Sequence, residues 1–442
     1  MAVVLVRAKE STTGRTTVAI EDDVCVIGGG LAGMTAALRA AREGARVRLL
    51  SHKKSTLRHA SGLVDILGYA DGELVADPFD MLSLLPKTHP YRRVGNDAVR
   101  AGLSLFDDVT GDAYRGTHTD ANALVATHGG TVKPTARYPA RVAPGLASRD
   151  RKTLLVGFDS LTAFDAPLAA DHLAAAGVPG TTRGVTVAFP GDFRADSRVT
   201  RFARALDDDE TVETASGSTP VRRALARTLE SHLGNAERVG FPAVLGEEES
   251  QEVREALESS LGVDVFEVPM GPPSLLGLRL EALFQEALDE AGVRRTTGNP
   301  VTEFDASDGR IQSVSTDRNG RPTPFHADEF VLATGGLVGK GIDSDREEVI
   351  EPVFDCHVPH PDDRYEWFDD EAFGDHPFAR FGVDVDDDLR PLDADGGAEY
   401  DNLRAAGGVL GGADFAAEKS GSGISLATGH AAGRAAGAAA NQ

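Results

Sequence analysis

Two rhythms of apolar residues run along the chain. Residues 24–27, VCVI, form a continuous apolar run that breaks at GGGLAG. Across 31–42 apolar positions recur at the three- and four-residue spacing of a helix, Gly44 stops it, and 47–50, VRLL, reads as a second strand. The pattern therefore predicts strand, glycine turn, helix and strand in succession. A fresh α/β pattern starts at KTLLVGFDSL (152–161) and continues through a helical stretch to about 176, a strand GVTVAF and a helix PVRRALARTLESHLG. It runs on through RVGFPAVLG, a charged helix near 251–261 and a strand VDVFEVP. Then come a helix after GPPSLLGLRL (271–280), a strand pair in VTEFDASDGRIQSVSTD turning at Asp308-Gly309, and the strand of EFVLATGG. NLRAAGGVLGG (402–412) and KSGSGISLATGHAAGRAAGAAA follow, the second a glycine-rich turn into a small-residue helix. There is no internal repeat.

This order predicts an α/β chain in which the first pattern is interrupted and later resumed. The expected division is an N-terminal extension at 1–20, with an extra strand at VVLV; a discontinuous domain made of 21–75, 265–345 and 400–442; and an inserted α/β domain made of 76–264 and 346–399. The 442 residues, 41% of them hydrophobic, suffice for two substantial cores.

Charge narrows the partners. Sixty-nine Asp and Glu stand against 45 Lys and Arg, a formal net charge of −24. That excludes nucleic acid as an expected partner. The acids come in short runs, DDDE at 207–210, EEE at 247–249 and DVDDD at 384–388, each read as a solvated face. The chain-wide excess suits molar salt, where self-repulsion is screened, and points to a halophilic source. The two cysteines, Cys25 and Cys356, fall in no metal-ligand spacing, so no metal site is expected, and Cys25 reads as a buried strand thiol. No apolar stretch approaches the ~18 residues of a spanning helix, and the first residues lack an export signal's apolar core and cleavage site. The expected location is cytoplasmic.

GGGLAG satisfies G-x-G-x-x-G between a strand and a helix. There Gly28 permits the tight turn, Gly30 lets the backbone approach a phosphate, and Gly33 lets helix and strand pack closely. A dinucleotide-binding unit of this kind ends its second strand on a carboxylate for the adenosine ribose. This one ends on Ser51. The loop that follows, SHKKSTLRHASG, carries His52, Lys53, Lys54, Arg58 and His59, of which Lys53 or Arg58 could meet phosphate; Ser61 and Gly62 would bring backbone near a flavin ring. A solvated basic loop is the competing reading. GPPSLLGLRL can be no more than a helix start, with Arg279 at a core edge, and His430 reads as a packed histidine.

Taken in order, these segments resemble the B subunit of anaerobic glycerol-3-phosphate dehydrogenase. The likeness runs from VIGGGLAG through STLRHASGLVDIL, HPY, LLVGFDSL, VPMGPPSLLGLRL, VLATGG, IEPVFD and FGVDVDDDLRP to AAGGVLGGADFAAEKSGSGISLATGHAAG. It implies a Rossmann-like flavoprotein of the two-dinucleotide-binding type with an inserted α/β domain. It also implies FMN as cofactor, with FAD the alternative, and two partners: an FAD-containing catalytic subunit and an iron–sulfur subunit that associates with the membrane and its quinone pool. The substrate of the complex would be a small phosphate, sn-glycerol 3-phosphate, and the chain would lie peripheral to the inner face of the membrane through those partners. The implied flavin contacts are Gly28, Gly29, Gly30, Leu31, Ala32 and Gly33; Ser51, His52 and Lys53; Ser61 and Gly62; Thr334, Gly335 and Gly336; Gly408, Gly411 and Gly412; and Gly421, Ser422 and Gly423. No catalytic residue is singled out. Ser51, and Gly408 where related FAD proteins place an aspartate, both depart from ordinary FAD binding. A self-sufficient FAD oxidoreductase and a non-catalytic scaffold with a vestigial flavin site stay open beside the electron-transfer role.

Overall fold

The computed structural model describes residues 20–195, 197–215, 217–317 and 320–442. The expected strand at VVLV lies outside them. In chain order the principal elements begin with β1 (Ile20–Ile27), α1 (Leu31–Arg42), β2 (Val47–Ser51) and α2 (Pro90–Thr110, interrupted at Gly95). Next come β3 (Thr153–Phe158), α3 (Ala166–Ala175), β4 (Thr182–Val187), α4 (Val221–Leu233), β5 (Arg238–Pro242), α5 (Ser250–Leu261) and β6 (Asp264–Val268). The last are α6 (Leu275–Glu290), β7 (Arg294–Thr297), β8 (Val301–Ser307), β9 (Arg310–Asp317), β10 (Pro322–Leu332), β11 (Leu403–Ala405) and α7 (Gly421–Ala440).

Two compact units result. Of the described residues, the first holds 20–56 together with Asp65–Thr110 and Leu283–Gln442; the second holds Leu57–Val64 and Gly111–Ala282. Residues 76–110 and 346–399 thus belong to the first unit, not to the insertion expected from the sequence. Both have a packing reason. A Cβ on Gly102 of α2 would lie 2.7 Å from the Leu426 backbone of α7, so the two helices touch backbone to backbone. Phe354 stacks edge-on to Phe304 and Phe330, with ring centroids 5.3 and 6.4 Å away.

The first unit is built on a mixed sheet. β1 lies between β2 and β10, parallel to both, with Ile27 beside Leu50 and Leu332; β7 joins β2, and β9 and β8 continue antiparallel beyond β10. Being central and covered on both faces, Val24–Ile27 is buried throughout, which is why this strand reads as an unbroken apolar run. Asp308 and Gly309 both have positive φ, as the two-residue turn between β8 and β9 requires.

Helices α1 and α7 meet along a seam of small residues. A Cβ on Gly429 would lie 2.5 Å from the Ala32 carbonyl oxygen, on Gly433 2.3 Å from that of Ala36, and on Gly437 3.0 Å from that of Ala40. Spaced by four, these glycines share one face of α7 and let the backbones touch.

In the second unit β4, β3, β5 and β6 form a wholly parallel sheet. Phe158 anchors its core against Phe189, Phe202 and Phe241 at centroid distances of 5.0, 6.1 and 6.3 Å. Such pairs add about 0.5–1.5 kcal/mol each beyond their burial.

The acidic runs are more than solvated faces. Asp207 accepts hydrogen bonds from the N–H groups of Glu247, Glu248 and Glu249 at 2.7, 3.1 and 3.0 Å, so one run fastens another. Asp386 likewise accepts from the N–H groups of Asp388 and Arg390 and pairs with the Arg390 guanidinium. Glu210, Glu247 and Asp384 pair with Arg201, Arg204 and Arg93, and the net excess of acids over bases leaves repulsion across the surface. The melting temperature is expected to rise between about 0.2 M and about 3 M KCl as that repulsion is screened; thermal scans that superimpose across the range would show the acidic surface to be neutral to stability.

Candidate functional site

The glycine turn is set by backbone contacts. Gly28 has φ +122°, and a Cβ there would lie 2.0 Å from the Ala333 carbonyl oxygen, where β10 ends beside β1. A Cβ on Gly33 would lie 1.8 Å from the Gly28 carbonyl oxygen, so helix and turn press together without a side chain between them. Gly29 faces Ser51, whose Cβ would be 2.9 Å from an added methyl. Packing alone explains these three glycines.

Gly30 is different. Its φ of −81° and ψ of −176° suit any residue, and a Cβ would meet only Thr56 Oγ1, at 3.7 Å. The fold places no demand for glycine there. Gly30 also caps α1 without a side-chain acceptor, and the N–H groups of Gly29 through Gly33 find no acceptor among the described residues. A helix start with open N–H groups and the positive end of the dipole favours an anion. Exposed Lys53 and Lys54, without ion-pair partners among the described residues, add positive charge just past β2. The turn thus fits the phosphate of a dinucleotide or mononucleotide. Thr56 is a neighbour that sequence reasoning misses; its only sequence cue is its place in the loop after β2.

The turn after β10 lies against the same region of this unit. Gly335 has φ +86°, a Cβ on Gly336 would lie 2.6 Å from the Gly408 carbonyl oxygen, and a Cβ on Gly407 would lie 2.5 Å from Ala32 Cβ. Thr334 Oγ1 is buried with no hydrogen-bond partner among the described residues, an unused donor beside the glycine turns. A side chain at Gly408 would have to pass Gly336 N at 3.2 Å. Gly411 and Gly412 face elsewhere: their N–H groups donate to the carbonyls of Val383 and Arg380.

At the start of α7, Ser422 and Gly423 are partly committed. Gly423 N–H donates to the Asp65 carbonyl at 2.7 Å, Ser422 Oγ accepts from Asp65 N–H at 2.7 Å, and a Cβ on Gly423 would lie 2.2 Å from the Tyr91 hydroxyl. That hydroxyl donates to the Ile66 carbonyl at 2.6 Å. Its neighbour His89 accepts the Tyr91 N–H on Nδ1 and faces Glu418 through Nε2 at 3.2 Å, so HPY pins the first turn of α7 in place. The N–H groups of Gly421 and Ser422 stay open among the described residues.

Ser61 and Gly62 belong to the second unit. There a Cβ on Gly62 would lie 2.6 Å from Leu276 Cβ, a Cβ on Gly277 would lie 2.0 Å from the Leu57 carbonyl oxygen, and Ser274 N–H donates to the Arg58 carbonyl. STLRHASG and PPSLLG are therefore two sides of one close contact. Arg58 pairs with buried Glu281 at 2.5 Å, and Arg279 is held by fully buried Glu267 at 2.6 Å and by the Gly246 carbonyl. Each guanidinium already has a carboxylate counter-charge. In the IEPVFD segment Glu351, fully buried, accepts the N–H groups of Val353 and Phe354. Burial pushes its carboxyl up to about 7.

Residues 23–424 match the family model described as an FAD binding domain. A protein of Halobacterium salinarum, named as a probable B subunit of anaerobic glycerol-3-phosphate dehydrogenase, is 61% identical over 95% of this chain and 98% of its own length. The chain belongs to the B-subunit family of anaerobic glycerol-3-phosphate dehydrogenase. A family member from Vibrio cholerae is 32% identical, over 92% of this chain and 94% of its own length. Among solved structures, the 3-ketosteroid-Δ4-(5α)-dehydrogenase of Rhodococcus jostii RHA1 aligns with TM-score 0.41 and 12% identity, over 99% of this chain and 100% of that one. Family membership accounts for a Rossmann-like flavoprotein fold. Among the described residues no helix is long and apolar enough to cross a membrane.

Proposed function

We propose that this chain is the flavin-carrying B subunit of a glycerol-3-phosphate dehydrogenase complex. It takes part in the two-electron oxidation of sn-glycerol 3-phosphate to dihydroxyacetone phosphate, with electrons leaving toward the quinone pool. The observation that carries the reading is the open cradle at Gly30, a glycine the fold does not need beside N–H groups that lack acceptors. Bound flavin would supply the alcohol oxidation and electron-transfer chemistry. The chain's own part is binding and orientation. The N–H groups of Gly29 through Gly33 would hold a flavin phosphate, and Lys53 and Lys54 would add attraction. Partners of the kind the resemblance implies, an FAD-bearing catalytic subunit and an iron–sulfur subunit at the membrane, complete the proposal.

FAD is the flavin favoured, because the family model is that of an FAD binding domain. FMN is the second reading, supported by Ser51 at the end of β2 where an adenosine ribose would look for a carboxylate. Denaturing extraction followed by chromatography separates them: FAD is the expected product, FMN makes this a mononucleotide site, and folded protein without flavin would overturn the flavin reading. Substrate oxidation also needs a base near the C2 hydroxyl and cations for the phosphate. With Arg58 and Arg279 engaged by carboxylates, the purified chain alone is expected to reduce dye with glycerol 3-phosphate no faster than background, and activity should appear on co-expression with the partner subunits. Robust turnover by the single chain would make it a complete dehydrogenase.

A further inference from the structure

A second site of opposite character lies within the second unit. A cavity of about 880 Å³ opens beside the residues that lead into β3, the first residue of β6 and one face of α5. Four arginines line it, Arg115, Arg141, Arg149 and Arg254, in a chain whose net charge is −24. Three carboxylates line it as well, and each has an arginine. Asp112 lies 3.7 Å from Arg115, Glu258 pairs with Arg254 one helical turn away, and Asp264 pairs with Arg151. Glu258 is held further by the Val265 N–H at 3.0 Å.

Arg141 and Arg149 are left over. Neither has an ion-pair partner among the described residues, and Arg141 Nε is buried with no hydrogen-bond acceptor among them. The carboxylate that acts on Arg141, Glu267, is already held by the forked contact of Arg279. Burial, followed by repulsion from Arg279 and Arg254, pushes the Arg141 guanidinium below its ordinary range. Glu267 offsets this only in part, because it is shared with Arg279; a part-buried cation that shares its counter-charge is costly, and an anion arriving from solvent lowers that cost.

We propose that this cavity binds the dianionic phosphate of a small phosphorylated metabolite, with Arg141 and Arg149 as its principal donors. Two unpaired guanidiniums match two negative charges. A phosphate offers enough oxygens for two forked donors at once, whereas one carboxylate satisfies one fork. The volume exceeds a lone phosphate and leaves room for an organic part near the Gln251 amide. None of the residues put forward for flavin lines this cavity, so the proposal stands apart from the flavin reading.

Inorganic phosphate titrated into flavin-replete protein, followed by calorimetry in molar KCl so that diffuse attraction is screened, tests the site. One saturable site is expected, with affinity reduced about tenfold or more in Arg149→Gln and in Arg141→Gln. Arg149 is exposed, so its variant keeps the fold and provides a clean measurement even if Arg141→Gln is unstable. Non-saturable uptake, equal affinity in wild type and Arg149→Gln, or displacement of phosphate by lower concentrations of malonate would each overturn the proposal. Retention of the same site in flavin-stripped Gly30→Val protein would confirm that the phosphate is not occupying the flavin cradle.

Discussion

Gly30→Val is expected to fold, to lose its flavin, and to melt where flavin-stripped wild type melts. The two halves of that result come from one geometry. The backbone at Gly30 is in an extended conformation open to any residue, and a Cβ has only Thr56 Oγ1 near it, so the protein accommodates valine. The γ-methyl groups then fill the space through which a phosphate reaches the N–H groups of the first turn of α1. Losing two hydrogen bonds to a charged acceptor, at about 1.5–3 kcal/mol each, weakens binding on the order of a hundredfold or more. Absorbance of the purified variant near 450 nm, set against its protein content and thermal scan, reads both halves at once. Undiminished flavin would move the phosphate away from this turn.

Gly33→Ala is expected to do the reverse. Its Cβ would sit 1.8 Å from the Gly28 carbonyl oxygen, far inside contact distance, and the atom in the way is backbone. Accommodation requires α1 to back away from β1, breaking the packing of Ala32, Ala36 and Ala40 on α7 along with it. Overpacking of this severity costs at least about 3 kcal/mol, a fall in melting temperature of about 6–12 °C for a unit of this size. A variant that melts within a degree or two of wild type would show that turn and helix are not pressed together as described.

These two residues mark the boundary of what the sequence discloses. G-x-G-x-x-G names Gly28, Gly30 and Gly33 alike, yet two of them answer to backbone contacts and one to empty space. Local signals read well: the helix at 31–42, stopped by glycine, and the Asp308-Gly309 turn are where the pattern puts them, because spacing and turn chemistry are written in neighbouring residues. Contacts between distant residues are not. Nothing in the spacing of α2 shows that Gly102 rests on Leu426, so the pattern alone places that helix in the inserted domain. Likewise Arg58 reads as a phosphate ligand until Glu281, far along the chain, is found beside it.

The glycine seam between α1 and α7 has an evolutionary consequence. With Gly429, Gly433 and Gly437 each pressed on a carbonyl or its immediate neighbourhood, the two helices cannot slide or part without losing contact along most of α7. Their first turns, which carry the two glycine-rich segments, are therefore inherited as a pair. Substitutions in the loops around one end can alter the ligand held there, but they cannot reposition one helix start while keeping the other.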